Sequence, residues 1–204
     1  MSLETIAAPS FNTPAGKLAD ALPRVHDLIR SRWSPRSFSS QDVSDDDLKT
    51  ILDAARWASS SYNEQPWRFL VARKSDPSAY NKLLSLLAPP NQAWAKDAPV
   101  LMIMAAKQTF SHNGSQNHYG LHDAGEALAH LALQATALGL HTHSMGGFDR
   151  KRARQELGIP DDFELGAAVA LGYLGSPESE NTPRQRKPLN EIVFGTKWNE
   201  PFKF

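Results

Sequence analysis

The sequence predicts an α/β or α+β sandwich, a sheet of roughly four or five strands covered by helices. Three observations carry this expectation. The run APVLMIMAA (98–106) is apolar without alternating, which reads as a strand buried on both faces. Tyr119 to Leu138 is a long Ala- and Leu-rich helical segment that ends at Gly139, and its small residues suit close helix packing. Strand-like and helix-like segments alternate loosely, with no repeats and no low-complexity linker.

The elements follow in order. Val25, Leu28 and Ile29 share one face of a helix over 23–30, with Pro23 suited to its first turn. The basic segment RSRWSPRSF (30–38) comes next. Ser44 is a good N-cap, Asp45 to Asp47 suit the positive helix end, and Leu48, Ile51, Leu52 and Ala55 recur at helical spacing. WRFLVAR (67–73) reads as a strand, and 77–87 as a helix with Tyr80, Leu83, Leu84 and Leu87 on one side. KQTFSHNGSQNH (107–118) is polar and reads as a mobile loop. THSMGGFD (142–149) reads as a short strand running into a Gly-Gly turn. Asp149 caps a helix that reaches Leu157 and stops at Gly158-Ile159-Pro160. ELGAAVALGYLG (164–175) is another buried strand. The tail past Pro177 is Pro-rich and basic, then apolar, like an arm that packs on something. Residues 1–22 are taken as an N-terminal extension, and 23–204 as one domain whose arm is 177–204.

Composition narrows the function. The chain has 204 residues, 41% of them hydrophobic, which suits one domain with a sizeable core. Its 22 basic and 22 acidic residues cancel, so the whole surface favours neither nucleic acid nor an anionic membrane. With no cysteine, disulfides, thiolate metal sites and Cys nucleophiles are excluded. The N-terminus lacks a basic region followed by an apolar block, and the longest apolar run is about half a membrane span. A soluble, cytoplasmic protein is expected.

Several constellations could carry chemistry. Arg32 and Arg36 flank Ser34, and Arg184 and Arg186 lie far along the chain in PRQRKP. Guanidinium groups bind phosphate bidentately, and even spacing in an extended segment aims side chains the same way. No glycine-rich phosphate loop occurs, so any nucleotide-like phosphate must rely on such side chains. His118 with His122, and His141 with His143, have ligand spacing but no carboxylate to complete a metal triad; His122-Asp123 reads as polar packing near a helix start. SSSYNEQPWRF (59–69) offers Ser and Asn side chains to a planar polar ligand, or is a helix end meeting a strand. Asn91 and Trp94 could line a flat pocket. Gly146-Gly147 lets a backbone N–H approach a ligand closely, or is a plain tight turn.

In chain order, RSRWSPRSF, ASSSYNEQPWRFLVAR, NQAWAKDAPVLMIM, GLHDAGEALAHLALQATALGLHTHSMGGFD, GYLGSPE and PRQRKPLNEIVF resemble the nitroreductase family of FMN-dependent oxidoreductases. The resemblance implies an α+β fold: a three-layer α-β-α sandwich with a mixed, mostly antiparallel sheet, extended by the partner's C-terminal arm. It implies a homodimer with FMN at the interface. It also implies ping-pong hydride transfer from NADH or NADPH through flavin N5 to a nitroaromatic, quinone or similar acceptor, with no metal. Arg32 and Ser34 would hold the phosphate and ribityl end, and Arg184 and Arg186 would complete the phosphate site. Arg36 would lie near N1 and O2, where a cation stabilises the charge of reduced flavin. Asn91 would reach the flavin's polar edge, and the backbone N–H groups of Gly146 and Gly147 would face N5. Ser60, Ser61 and Asn63 would come from the partner. Trp33, Gln65 and Trp94 complete the cofactor-binding candidates; Trp94 stands where some members carry Lys. Relatives of the same fold that act as dehydrogenases, dehalogenases or flavin-fragmenting enzymes, and a non-catalytic flavin-binding protein, are the alternatives.

Overall fold

The strand predicted to be buried on both faces organises the molecule. The computed structural model describes residues 13–176 and 184–204, so most of the N-terminal extension and the start of the arm lie outside the described residues. Strand β1 (Trp67–Arg73) pairs with β2 (Val100–Lys107), β2 with β4 (Phe163–Tyr173), and β4 with β3 (Leu140–Met145). The sheet order is β1-β2-β4-β3 and every pairing is antiparallel. The parallel component expected of a mixed sheet is therefore absent from the four described strands.

Alternate β2 residues feed two separate cores. Val100, Met102, Met104 and Ala106 join Leu48, Ile51 and Ala55 of α2 (Asp45–Arg56) and Ala124, Ala127, Leu131 and Ala135 of α5 (Gly120–Ala137). Leu101, Ile103 and Ala105 join Tyr80, Leu83 and Leu86 of α3 (Pro77–Leu86), Ala95 of α4 (Pro89–Ala95) and Ala153 of α6 (Arg150–Leu157). This is the three-layer α-β-α sandwich. The alanine face of α5 lets α2 approach closely. Among the described residues, no helix is long and apolar enough to cross a membrane.

Local chemistry sets the helix limits. Ser44 Oγ accepts from the Asp47 N–H at 3.0 Å and Asp149 Oδ1 from the Arg152 N–H at 2.9 Å, as cap residues should. Helix α1 is only Asp27–Ser31, because the Val25 N–H closes a turn onto the Leu22 carbonyl ahead of it. Helix α4 was not anticipated: Pro89-Pro90 starts it, since proline at a first helical position gives up no needed N–H. Residues 107–118 are not a loose loop. Phe110 is buried, and the N–H groups of Phe110, Gly114 and Asn117 bond back within the segment.

Tyr80 fastens α4 to the rest. Its hydroxyl donates to the Ala98 carbonyl at 2.6 Å and lies 2.9 Å from that of Ala95. Burial, aided by the negative charge of Asp97, pushes its pKa up to about 12. The folded value exceeds the unfolded one of about 10. Tyr80 therefore contributes stability below about pH 10, and that contribution is lost as pH rises towards about 12. Tyr80→Phe should lower unfolding free energy by about 1–3 kcal/mol at neutral pH, through the unsatisfied carbonyls. The gap between wild type and variant, read from urea midpoints, should narrow in strong alkali.

Candidate active site

One group of candidate residues collects on the β3 edge of the sheet. Past α1 the chain runs extended through Arg32 to Arg36. Trp33 and Pro35 are buried while Ser34 and Arg36 are exposed, the alternation an extended segment imposes. Two β3 histidines hold the segment from behind. A His143 ring nitrogen, Nδ1, lies 2.9 Å from the Pro35 carbonyl and donates to it, and the His141 ring meets Trp33 edge-on at 5.8 Å. Trp33, 3% exposed, thus packs inward rather than lining an open site.

The arginines converge. The Arg184 guanidinium donates to the Arg30 carbonyl at 2.5 Å and to the Arg32 carbonyl, across more than 150 residues of sequence. Arg32 Nη1 donates to Ser34 Oγ at 3.1 Å. Burial, then repulsion from Arg32 and Arg186, lowers the Arg184 pKa; burial, then Arg186, lowers that of Arg32. Among the described residues no carboxylate pairs with Arg32, Arg184 or Arg186, and Arg184 Nε is buried without a hydrogen-bond partner. Three cations that repel one another, one with an unused buried donor, could hold an anion.

The glycine turn closes this side. Asn91 Nδ2 donates to the Gly147 carbonyl at 3.0 Å, and the Ala88 N–H donates to the same oxygen at 2.9 Å. A Cβ on Gly147 would lie 2.9 Å from Asn91 Nδ2, so a side chain there would displace the Asn91 amide from its bond. Asn91 thus fixes the turn directly. Trp94 lies between Phe38, stacked at 6.2 Å, and His143, at 4.6 Å, and packs α4 against β3.

The second group stands at the head of β1, at the other edge of the sheet. Three interstrand gaps separate β1 from β3, roughly 14 Å. Residues Ser61–Asn63 form a single tight turn, and Tyr62, Asn63 and Gln65 all have left-handed φ, of 53°, 54° and 51°. Such non-glycine conformations cost about 1–3 kcal/mol each and persist only where surroundings enforce them. Here the Ser61 N–H donates to Asp123 Oδ2 at 2.9 Å, Ser59 Oγ to Glu126, and the Gln65 N–H to Ser60 Oγ at 2.9 Å. The Gln65 side chain donates to the Asn63 carbonyl at 3.1 Å.

Asp123 and Glu126, on the first turns of α5, were not among the candidate site residues. Asp123 is 3% exposed and also accepts from His122 Nδ1 at 3.0 Å, the main cause of the raised His122 pKa. The polar-packing reading of His122-Asp123 holds, although only the buried position of Asp123 reveals what it grips. Against the expectation that no carboxylate completes a triad, Asp123 and Glu126 stand with His122 so that ligand atoms come within 4.8 Å of one another; both carboxylates already accept from the serine turn.

The chain is similar to known proteins. The family model described as the nitroreductase family matches residues 29–173. A Thermus thermophilus protein named NADH dehydrogenase is 31% identical over 194 residues, covering 80% of this chain and 91% of that protein. A crystal structure of an oxidoreductase containing FMN is 37% identical with a TM-score of 0.84, covering 92% of this chain and 99% of the other. A protein from Desulfovibrio desulfuricans solved in complex with FMN is 27% identical with a TM-score of 0.71, covering 87% and 99%.

Proposed function

The chain belongs to the nitroreductase family, and from that premise we propose that it is an FMN-dependent oxidoreductase. It takes hydride from NADH or NADPH and passes electrons to a quinone, nitroaromatic or similar small acceptor by a ping-pong mechanism. The observation that carries this reading is the arginine cluster, which lacks a carboxylate among the described residues and fits a phosphate dianion. Arg32, Ser34, Arg184 and Arg186 would hold the FMN phosphate and ribityl end. Arg36, exposed on the same side of the extended segment, would offer a cation to the N1 and O2 edge. Asn91 and the Gly146-Gly147 turn would meet the polar ring edge and N5, with Gly147 held by Asn91. Trp33 and Trp94 would support these groups from behind. FMN, when bound, supplies the two-electron redox chemistry.

Ser60, Ser61, Asn63 and Gln65 would serve the site of a second copy. Their place at the opposite sheet edge from the arginine cluster supports this. The described part of the arm leaves Leu189, Ile192, Trp198, Phe202 and Phe204 exposed, which suits burial against that copy and extension of its sheet. A cytoplasmic homodimer with small-molecule substrates and no nucleic-acid partner follows from the same reading. Anaerobic titration with a nicotinamide donor, followed by absorbance, tests cofactor and donor together.

A further inference from the structure

Tyr62 is the residue of the serine turn that the cofactor reading leaves without a role. It lies between Ser61 and Asn63, yet its side chain is 81% exposed. It is not solvated at random. Its ring meets Phe110 edge-on, with centroids 5.5 Å apart and planes at 79°, and lies 5.5 Å from the His112 ring; Phe110 and His112 are 5.3 Å apart. Phe110, 9% exposed, forms the base, while His112 is exposed beside Tyr62.

Two further contacts tie the rings into one unit. Glu64 accepts from the Ser111 N–H at 2.9 Å and from Ser111 Oγ at 2.6 Å, and Lys107 Nζ donates to Ser111 Oγ at 3.0 Å. Ser111, next to His112, is therefore bonded to Glu64, two residues beyond Tyr62. A core extension does not explain the trio, since two of its three rings face solvent. A plain turn does not explain it either, since Tyr62 adopts left-handed φ without glycine or asparagine chemistry to favour it. An exposed aromatic ring, backed edge-on by a buried one and carried by a braced turn, is a stacking surface.

We infer that Tyr62, backed by Phe110 and flanked by His112, is a platform on which the ring of a planar aromatic acceptor stacks. The inference rests on the functional reading above, because the turn that would touch FMN through Ser60, Ser61 and Asn63 also presents Tyr62. The acceptor class it selects is flat and aromatic or quinoid, at the expense of saturated carbonyl compounds of equal size. Specificity then comes from two segments far apart in sequence, the serine turn and residues 107–118.

The test is a pair of redox-inert, uncharged probes, benzamide and cyclohexanecarboxamide, bound to the FMN-loaded protein and measured by ligand-observed NMR. Cyclohexyl is the more hydrophobic group, so tighter binding of benzamide reports ring stacking rather than burial. Wild type should prefer benzamide by roughly two- to tenfold. Tyr62→Ala should abolish the preference, Tyr62→Phe should keep it, and His112→Ala, which leaves the turn's own backbone intact, should reduce it. A flat ratio in wild type, or a ratio unchanged in Tyr62→Ala and His112→Ala, overturns the platform. FMN content is read on the same samples. Bound FMN with a flat ratio defeats the platform alone, whereas protein that takes up no FMN defeats the functional reading and the platform with it.

Discussion

Arg184→Ala is expected to release FMN from the protein. The guanidinium braces the Arg30 and Arg32 carbonyls, stands beside the Arg32 and Arg186 charges, and keeps a buried Nε available. Alanine removes an anion donor and also frees the segment that carries Arg32, Ser34 and Arg36. Charge-assisted hydrogen bonds contribute about 1.5–3 kcal/mol each. Losing one directly and a second through the loosened Arg32 should raise the FMN dissociation constant by roughly two to four orders of magnitude. Arg184→Lys should recover little, because an ammonium cannot span two carbonyls as a planar fork does. Arg186→Ala, which removes charge without that brace, should cost less. The check is a fluorescence titration of apoprotein with FMN. Unchanged affinity in Arg184→Ala would place the phosphate elsewhere.

Asp123→Ala should have the next largest effect, and from the opposite edge of the sheet. The carboxylate is buried, holds the Ser61 N–H and faces His122. Without it a backbone donor loses its partner beside a turn with three left-handed residues. The cost to folding is about 1–3 kcal/mol, measurable in urea. Retention of FMN should fall too, although Asp123 lies away from the arginines of its own chain. Mixing the two variants makes this sharper. Arg184→Ala and Asp123→Ala each spoil both sites of a symmetric dimer, but a hybrid keeps one intact site. Random exchange should then restore FMN to about a quarter of all sites. A mixture that binds no more than its separate components would show that each site is built within one chain.

Much of the fold was legible because it follows from short-range pattern. The non-alternating run at 98–106 reads as a strand buried on both faces, and β2 indeed supplies two cores. Ser44 and Asp149 announced their helices through side-chain chemistry alone. Helix α4 was missed because Pro89-Pro90 resembles a break when no partner for the following turn is visible. The site was legible in part. The alternation of Arg32, Ser34 and Arg36 is a property of any extended segment. Two contacts could not be read from spacing: the Arg184 brace, and the grip of Asp123 on Ser61. Each joins residues more than 60 positions apart, and no periodicity encodes such a pairing. The run SSSYNEQPWRF looked like a helix end meeting a strand; its left-handed backbone and two aromatic neighbours became visible only in three dimensions.

The central claim, a flavin site reduced by a nicotinamide, is tested most directly by anaerobic titration of the FMN-loaded protein with NADPH and, separately, NADH. The account predicts that the visible flavin absorbance bleaches with at least one donor, at one equivalent per bound FMN, and returns when a quinone is added. A protein that stays colourless after incubation with FMN, or a bound flavin that neither donor bleaches, would contradict it.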